Sequence, residues 1–125
     1  MKLQSDPQSN LNTITGYGNG FVEINAIAHS NAILLTPSGD PIPWPVDSFD
    51  QLDENHFSQM VALKPELVII GTGNRQRFPK PVLLKPLMQA RIGYEIMDSQ
   101  AACRTYNVLM SEGRQVLLAL LLDSE

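Results

Sequence analysis

The chain is poor in the residues that most often advertise chemistry: it has one cysteine, one tryptophan and two histidines among 125 residues. A single thiol, Cys103, cannot close an internal disulfide or contribute to a cysteine-based zinc cage, which fits a reducing compartment. His29 and His56 fall on different segments with no HExxH or paired-ligand spacing, so neither a zinc site nor a histidine base is indicated. The N-terminal MKLQSDPQSN lacks the apolar core of a signal peptide. The longest apolar run, Val116 to Leu122, is far too short to cross a bilayer. These absences predict a cytoplasmic protein with no membrane insertion. The formal net charge of -4 argues against non-specific nucleic-acid binding, which depends on Lys and Arg neutralising phosphates.

What remains is a composition of 43% hydrophobic and 18% charged residues, that of a globular chain. A protein of this length fits one domain over 1–125 and withdraws roughly two-thirds of its unfolded surface from water. No internal repeat, linker or low-complexity tract divides it. Residues 1–12 are polar around Asp6-Pro7 and read as a loose N-terminal arm.

From Tyr17 onward the signals are those of strands and turns. Gly18-Asn19-Gly20 supplies positive φ, Phe21, Val22, Ile24 and Ile27 follow, and Ala32 to Thr36 forms a strand before the turn Pro37-Ser38-Gly39-Asp40. Trp44, between Pro43 and Pro45, closes the β-rich third. DENHFSQMVAL reads as a helix with Asp53 as N-cap and with Phe57, Met60, Val61 and Leu63 on its apolar side; Pro65 ends it. Leu67 to Ile70 is apolar on both sides of the pleat, as a central parallel strand requires. KPVLLKPLMQA follows as a second helix that Pro86 kinks or restarts, with Gly93 at its C′ position. Tyr94 to Met97 is a strand. Asp98 or Ser99 then caps a third helix that buries Ala102, Tyr106, Leu109 and Met110 and stops at Gly113. RQVLLALLLD is a last strand. The alternation predicts an α/β sandwich with helices on its faces and an N-terminal β-hairpin extension.

The segment LVIIGTGNRQRFPKP, Leu67 to Pro81, poses the functional question. Phosphate cradles need converging amides and a helix that begins at once. A dinucleotide fingerprint needs a third glycine where Gln76 stands, no GK[ST] triplet exists, and Pro79 and Pro81 delay the helix. The turn Gly71-Thr72-Gly73 is therefore read as a sharp exit from a central strand, whose loop, with Asn74, Arg75 and Arg77, is the candidate recognition surface. No catalytic, cofactor-binding or metal residues are assigned. Cys103 lies inside a helix beside alanines, Glu95 and Asp98 are explained as a solvated carboxylate and a cap, and no GxSxG elbow exists.

PELVIIGTGNRQRFP together with GYEIMDSQAACRTYNVLMSEGRQVLLALL resembles a small α/β family of largely uncharacterised proteins. It includes the mitochondrial respiratory complex I (NADH:ubiquinone oxidoreductase) assembly factor three and an adipogenesis-associated protein. The resemblance runs from about Phe21 to Leu122. It implies a three-layer sandwich with a mixed central sheet, no established enzymatic activity and no cofactor. Its hallmark residues fall on Gly71, Thr72 and Gly73, on Glu95, on Ser99 (where threonine is common), on Ala102, Tyr106 and Asn107, and on Gly113 and Arg114. Beyond the turn, these are expected to be structural. Leucines replace alanines common in the last strand. A binding or assembly protein, with another protein or a second copy as partner, is the leading expectation. A small-molecule or anion binder using the Gly71-Thr72-Gly73 loop is the alternative, and an enzyme built on Glu95, Asp98 or Cys103 is least favoured.

Overall fold

The computed structural model describes residues 11–123. In chain order the elements are β1 (Ile14–Gly18), β2 (Phe21–Ile24), β3 (Ile27–His29), β4 (Ile33–Leu35), β5 (Ile42–Pro43), α1 (Glu54–Ala62), β6 (Leu67–Thr72), α2 (Lys85–Gln89), β7 (Gly93–Met97), α3 (Ser99–Ser111) and β8 (Val116–Leu121). Five strands form a mixed sheet in the order β5-β4-β8-β6-β7. In it β6 runs parallel to both β7 and β8, while β4 runs antiparallel to β8 and β5.

The strands of this sheet alternate between two cores, as a pleat of period two requires. Ile33, Leu35, Ile69, Val116, Leu118 and Leu120 face α3, and between the same strands Leu34, Val68, Ile70, Leu117, Ala119 and Leu121 face α1 and α2. All six residues of β8 are buried, which explains why that run shows no polar alternation. The first core is closed by Ala102, Cys103, Tyr106 and Met110 of α3, the second by Phe57 and Met60 of α1 and Leu87 of α2. Trp44 is buried in the second core, edge-on to His56 with ring centroids 6.1 Å apart. The expected three-layer α/β sandwich with a mixed sheet is thus present.

The N-terminal extension is larger than a hairpin. β1, β2 and β3 make a separate antiparallel sheet, and β1 starts at Ile14, ahead of the Tyr17 from which strands were expected. Its second turn places Asn25 and Ala26 at φ 48° and 69°, a two-residue left-handed turn of the kind that matches strand twist. Asn107 of α3 holds this sheet in place: its Oδ1 accepts from the Ile14 N–H and its Nδ2 donates to the Ile14 carbonyl, both at 2.9 Å. Tyr106 adds a bond from Oη to the Asn12 carbonyl at 2.8 Å. Asn12, expected in a loose arm, is held further by its own N–H to the Pro37 carbonyl and by Nδ2 to the Thr36 carbonyl. Residues 1–10 of that arm lie outside the described residues.

Several local expectations need adjusting. Asp53 caps α1 as read, in a capping box with His56: Asp53 Oδ1 accepts from the His56 N–H at 3.2 Å and His56 Nδ1 accepts from the Asp53 N–H at 3.0 Å. Leu63, however, is exposed at the C-cap. The second helix is split into a 3-10 turn, Pro81–Leu84, and α2, with Pro86 in the first turn of the restart, where its missing N–H does no harm. Gly93 does not serve as C′. α2 stops at Gln89, so the left-handed position falls on Arg91 (φ 58°), and Gly93 is already paired with Leu67 in the sheet. Gly113 does take the left-handed conformation after α3, with φ 84°.

Candidate functional site

Because β6, β7 and β8 are mutually parallel, their carboxyl ends come out on one edge of the sheet, where open α/β sheets usually place a ligand. Gly71-Thr72-Gly73, the start of α3 at Asp98 and Ser99, and Asp123 after β8 all meet there. Gly71 lies between Met97 and Leu120 in the sheet. A Cβ on it would stand 2.7 Å from Leu120 Cδ1, 2.9 Å from Ser99 Oγ and 3.1 Å from Ala102 Cβ, so the turn needs glycine for close approach. Gly73 has φ +100°, and a Cβ there would also run into the Asp123 carboxylate.

Ser99 is the centre of this edge. Expected as a possible cap, it leaves that role to Asp98, whose carboxylate accepts from the Ala101 N–H at 2.9 Å. The Ser99 hydroxyl instead accepts from the Gly73 N–H at 2.8 Å and donates to the Leu121 carbonyl at 2.7 Å. Its own N–H returns to the Gly73 carbonyl at 2.8 Å. One buried serine therefore joins the ends of β6 and β8 to the start of α3. Thr72, fully buried, sends Oγ1 toward the Arg75 carbonyl (2.7 Å) and the Met97 carbonyl (3.2 Å) and accepts from the Arg77 N–H at 3.1 Å.

The amides a phosphate would seek are occupied by the chain itself. The Gly73 N–H goes to Ser99, and the Asn74 N–H donates to Asp123 Oδ2 at 2.8 Å. Asp123 thus places an internal carboxylate where a bound anion would sit. Arg77 is tied to the same knot through Nη2, to the Thr72 carbonyl at 2.8 Å and to Asp123 Oδ2 at 3.4 Å, and its guanidinium lies 4.8 Å from the centre of the Phe49 ring. Of the two arginines read as one exposed pair, Arg77 is half-buried in this knot, and only Arg75, with Asn74, is exposed. Gln76 Nε2 reaches the Ile96 carbonyl of β7 at 2.9 Å.

The other hallmark positions are spread over the fold. Glu95 is exposed on β7 and Ala102 is buried under Gly71. Arg114 donates from Nε to Glu66 Oε2 at 2.8 Å, and Glu66 Oε1 accepts from the Gln115 N–H at 3.2 Å, which joins the approaches to β6 and β8 at the opposite edge of the sheet. Sequence reasoning missed Asp123 and Phe49. Asp123 had no motif around it, and only its place one turn beyond a buried strand hinted at a role.

Cys103 is buried, and that burial pushes its thiol up from the ordinary 9.0 to about 12, with Arg104 pulling it back slightly. Tyr17 beside it is also raised, first by burial and then by Cys103. Such a thiol is not a nucleophile at neutral pH. Its raised value contributes stability that is full below pH 9 and is lost as pH rises toward about 12, because the unfolded chain releases that proton first. Two results are expected: native protein reacts with a thiol reagent at neutral pH far more slowly than urea-unfolded protein, and Cys103→Ala raises the midpoint of alkaline unfolding. Equal labelling rates in the two states would contradict this account.

Among the described residues no three His, Cys, Asp or Glu side chains are grouped as a metal site needs, and no helix is long and apolar enough to cross a membrane. Residues 14–121 match a family model described as a protein of unknown function (DUF498/DUF598). Over 82 residues the chain is 37% identical to NADH dehydrogenase (ubiquinone) 1 alpha subcomplex assembly factor 3 of Bos taurus, which covers 64% of this chain and 45% of that protein. Over 71 residues it is 32% identical to the 13 kDa major membrane protein of Francisella tularensis subsp. holarctica, 57% of this chain and 58% of that one. It therefore spans about half the length of these curated relatives. A crystal structure of a protein from Bordetella parapertussis superposes with a TM-score of 0.87 at 43% identity, over 94% of this chain and 100% of that one.

Proposed function

Since the chain belongs to the DUF498/DUF598 family of proteins of unknown function, we propose that it is a non-catalytic binding or assembly protein, with the loop from Gly71 to Arg77 as part of its recognition surface. The observation that carries this reading is the internal filling of the strand-end crevice: Ser99 and Asp123 occupy the Gly73 and Asn74 amides. A loop so filled is a rigid platform for exposed side chains, and rigid platforms lower the entropy cost of binding. The name of the bovine relative, an assembly factor, supports the same class of role. Free anion or nucleotide binding at this loop is less favoured, because an incoming anion would have to displace the Asp123 carboxylate.

In this reading Arg75 is the contact residue and Arg77 the positioning residue. Arg75 has its backbone carbonyl pinned by Thr72 while its side chain stands in solvent. Arg75→Glu is expected to keep the parent melting temperature and to weaken capture of the partner from the native cell at least about tenfold, since arginine is enriched among interface residues whose loss is most costly. Arg77→Glu is expected to lower the melting temperature, so it does not isolate contact from stability. Full retention of partners by Arg75→Glu, or micromolar binding of ATP or NAD by the parent in calorimetry, would count against the proposal.

A further inference from the structure

Positive charge is segregated along this acidic chain. Arg75, Arg77, Lys80, Lys85 and Arg91, five of its nine Lys and Arg residues, lie between Leu67 and Tyr94, where none of its thirteen Asp and Glu residues falls. Everything outside that segment holds four cations against thirteen carboxylates. Arg77 is engaged by Thr72, Asp123 and Phe49, while Arg75, Lys80, Lys85 and Arg91 are exposed. The same segment carries three large exposed hydrophobics, Phe78, Val82 and Met88, of which Phe78 is 67% exposed.

Phe78 and the buried Pro79 separate two hollows. One, of ≈ 460 Å³, is walled by Pro81, Leu84 and the β7 residues Tyr94, Glu95 and Ile96. The other, of ≈ 310 Å³, is walled by Phe49, Leu52, Lys80 and Leu83. β7 is the last strand of its sheet and has no strand neighbour on its outer side among the described residues. A sheet edge beside such hollows is the arrangement that captures extended peptides: the hollows take alternate side chains, and the edge offers the main-chain groups that Gln76, bonded to the Ile96 carbonyl, does not take.

We infer that this face docks an acidic peptide segment of a partner protein, with an aromatic or aliphatic side chain seated against Phe78 and with carboxylates facing Arg75, Lys80 and Lys85. The inference rests on the binding role proposed above and names the chemistry of its partner. Charge decides the occupant. Outside Leu67 to Tyr94 the chain holds four cations against thirteen carboxylates, so electrostatics favours this segment over the rest for an acidic peptide. A second copy would bring its own basic face against this one in any pairing of like surfaces. An anionic membrane would press headgroups against Asp50 and Glu95, which line the two hollows, whereas a peptide can set a neutral residue opposite each.

The test is a selection of random peptides displayed on phage against the intact protein, followed by fluorescence anisotropy with the selected peptides synthesised. Selected sequences are expected to be net negative with an aromatic or aliphatic anchor, and to bind more weakly as salt is raised. Phe78→Ser is expected to weaken them about tenfold, as is usual for an anchor contact, and Lys80→Glu with Lys85→Glu to abolish the salt dependence. Ile27→Ser, which alters an exposed aliphatic residue on β3, should leave binding unchanged. Selected peptides without acidic bias, binding indifferent to Phe78→Ser, or no selected peptides at all would each overturn the inference. So would flotation with phosphatidylserine vesicles that needs Phe78 while no peptide binds. If the cellular partner is lost in Arg75→Glu yet retained in Phe78→Ser, the binding role stands and this surface does not.

Discussion

Ser99→Ala is expected to destabilise the protein by about 3 kcal/mol, seen as a lower urea midpoint and a melting temperature reduced by roughly 10 °C. The residue is fully buried, and its hydroxyl is at once the acceptor for the Gly73 N–H and a donor to the Leu121 carbonyl. Alanine removes that oxygen and leaves both backbone groups without this partner where water does not reach. Losing a partner costs about 1–3 kcal/mol for each buried group, more than the net worth of the bond itself. The same variant should raise hydrogen exchange at Gly73, because the strand end and the helix start are joined through this side chain. A loss below about 1 kcal/mol would mean that the edge relaxes to satisfy itself, which the usual cost of an unmade buried bond does not allow for.

A second large effect is expected at Gly71. Valine there would drive its Cβ toward Leu120, Ser99 and Ala102, all of them buried, with strands hydrogen-bonded on both sides. Overpacking of a close-packed core typically costs 1–3 kcal/mol and occasionally more; about 3 kcal/mol is the expected value here, since neither strand can retreat. Gly71→Ala is expected to lie between valine and the parent. Denaturant unfolding of the three proteins should give that order at a constant m-value. If Gly71→Val were as stable as the parent, the close packing of β6, α3 and β8 would be refuted.

Much of the scaffold was legible because its signals are local. Asp53 and Asp98 precede their helices as caps, Gly113 follows α3, and Leu67 to Ile70 is apolar on both faces, as a strand between two parallel neighbours must be. What escaped depends on residues distant in sequence. Ser99 reads as a cap until the strands on either side bring Gly73 and Leu121 to its hydroxyl, and Asp123 reads as a tail residue until it meets Asn74, 49 positions earlier. Arg77 was indistinguishable from Arg75 by type and spacing. Only the placement of Phe49 and Asp123 separates a half-buried, engaged guanidinium from an exposed one. The left-handed turn expected at Gly93 falls two residues earlier, on Arg91, because α2 stops at Gln89, which no propensity scale resolves.

The position of β8 bears on how the molecule is made. This strand is the last of those described, yet it sits third of five, pairing with β4 on one side and β6 on the other. A ribosome delivers it after the other described strands of this sheet, so until then β4 and β6 have no common neighbour and both cores lack their middle wall. Domains generally fold as units during synthesis, and exposed apolar strands awaiting a partner are prone to aggregate. Until β8 is made, the apolar flanks of β4 and β6 stay uncovered, and closure of the five-stranded sheet waits for it. A stop codon placed just before Val116 would leave two half-sheets that no later event can join.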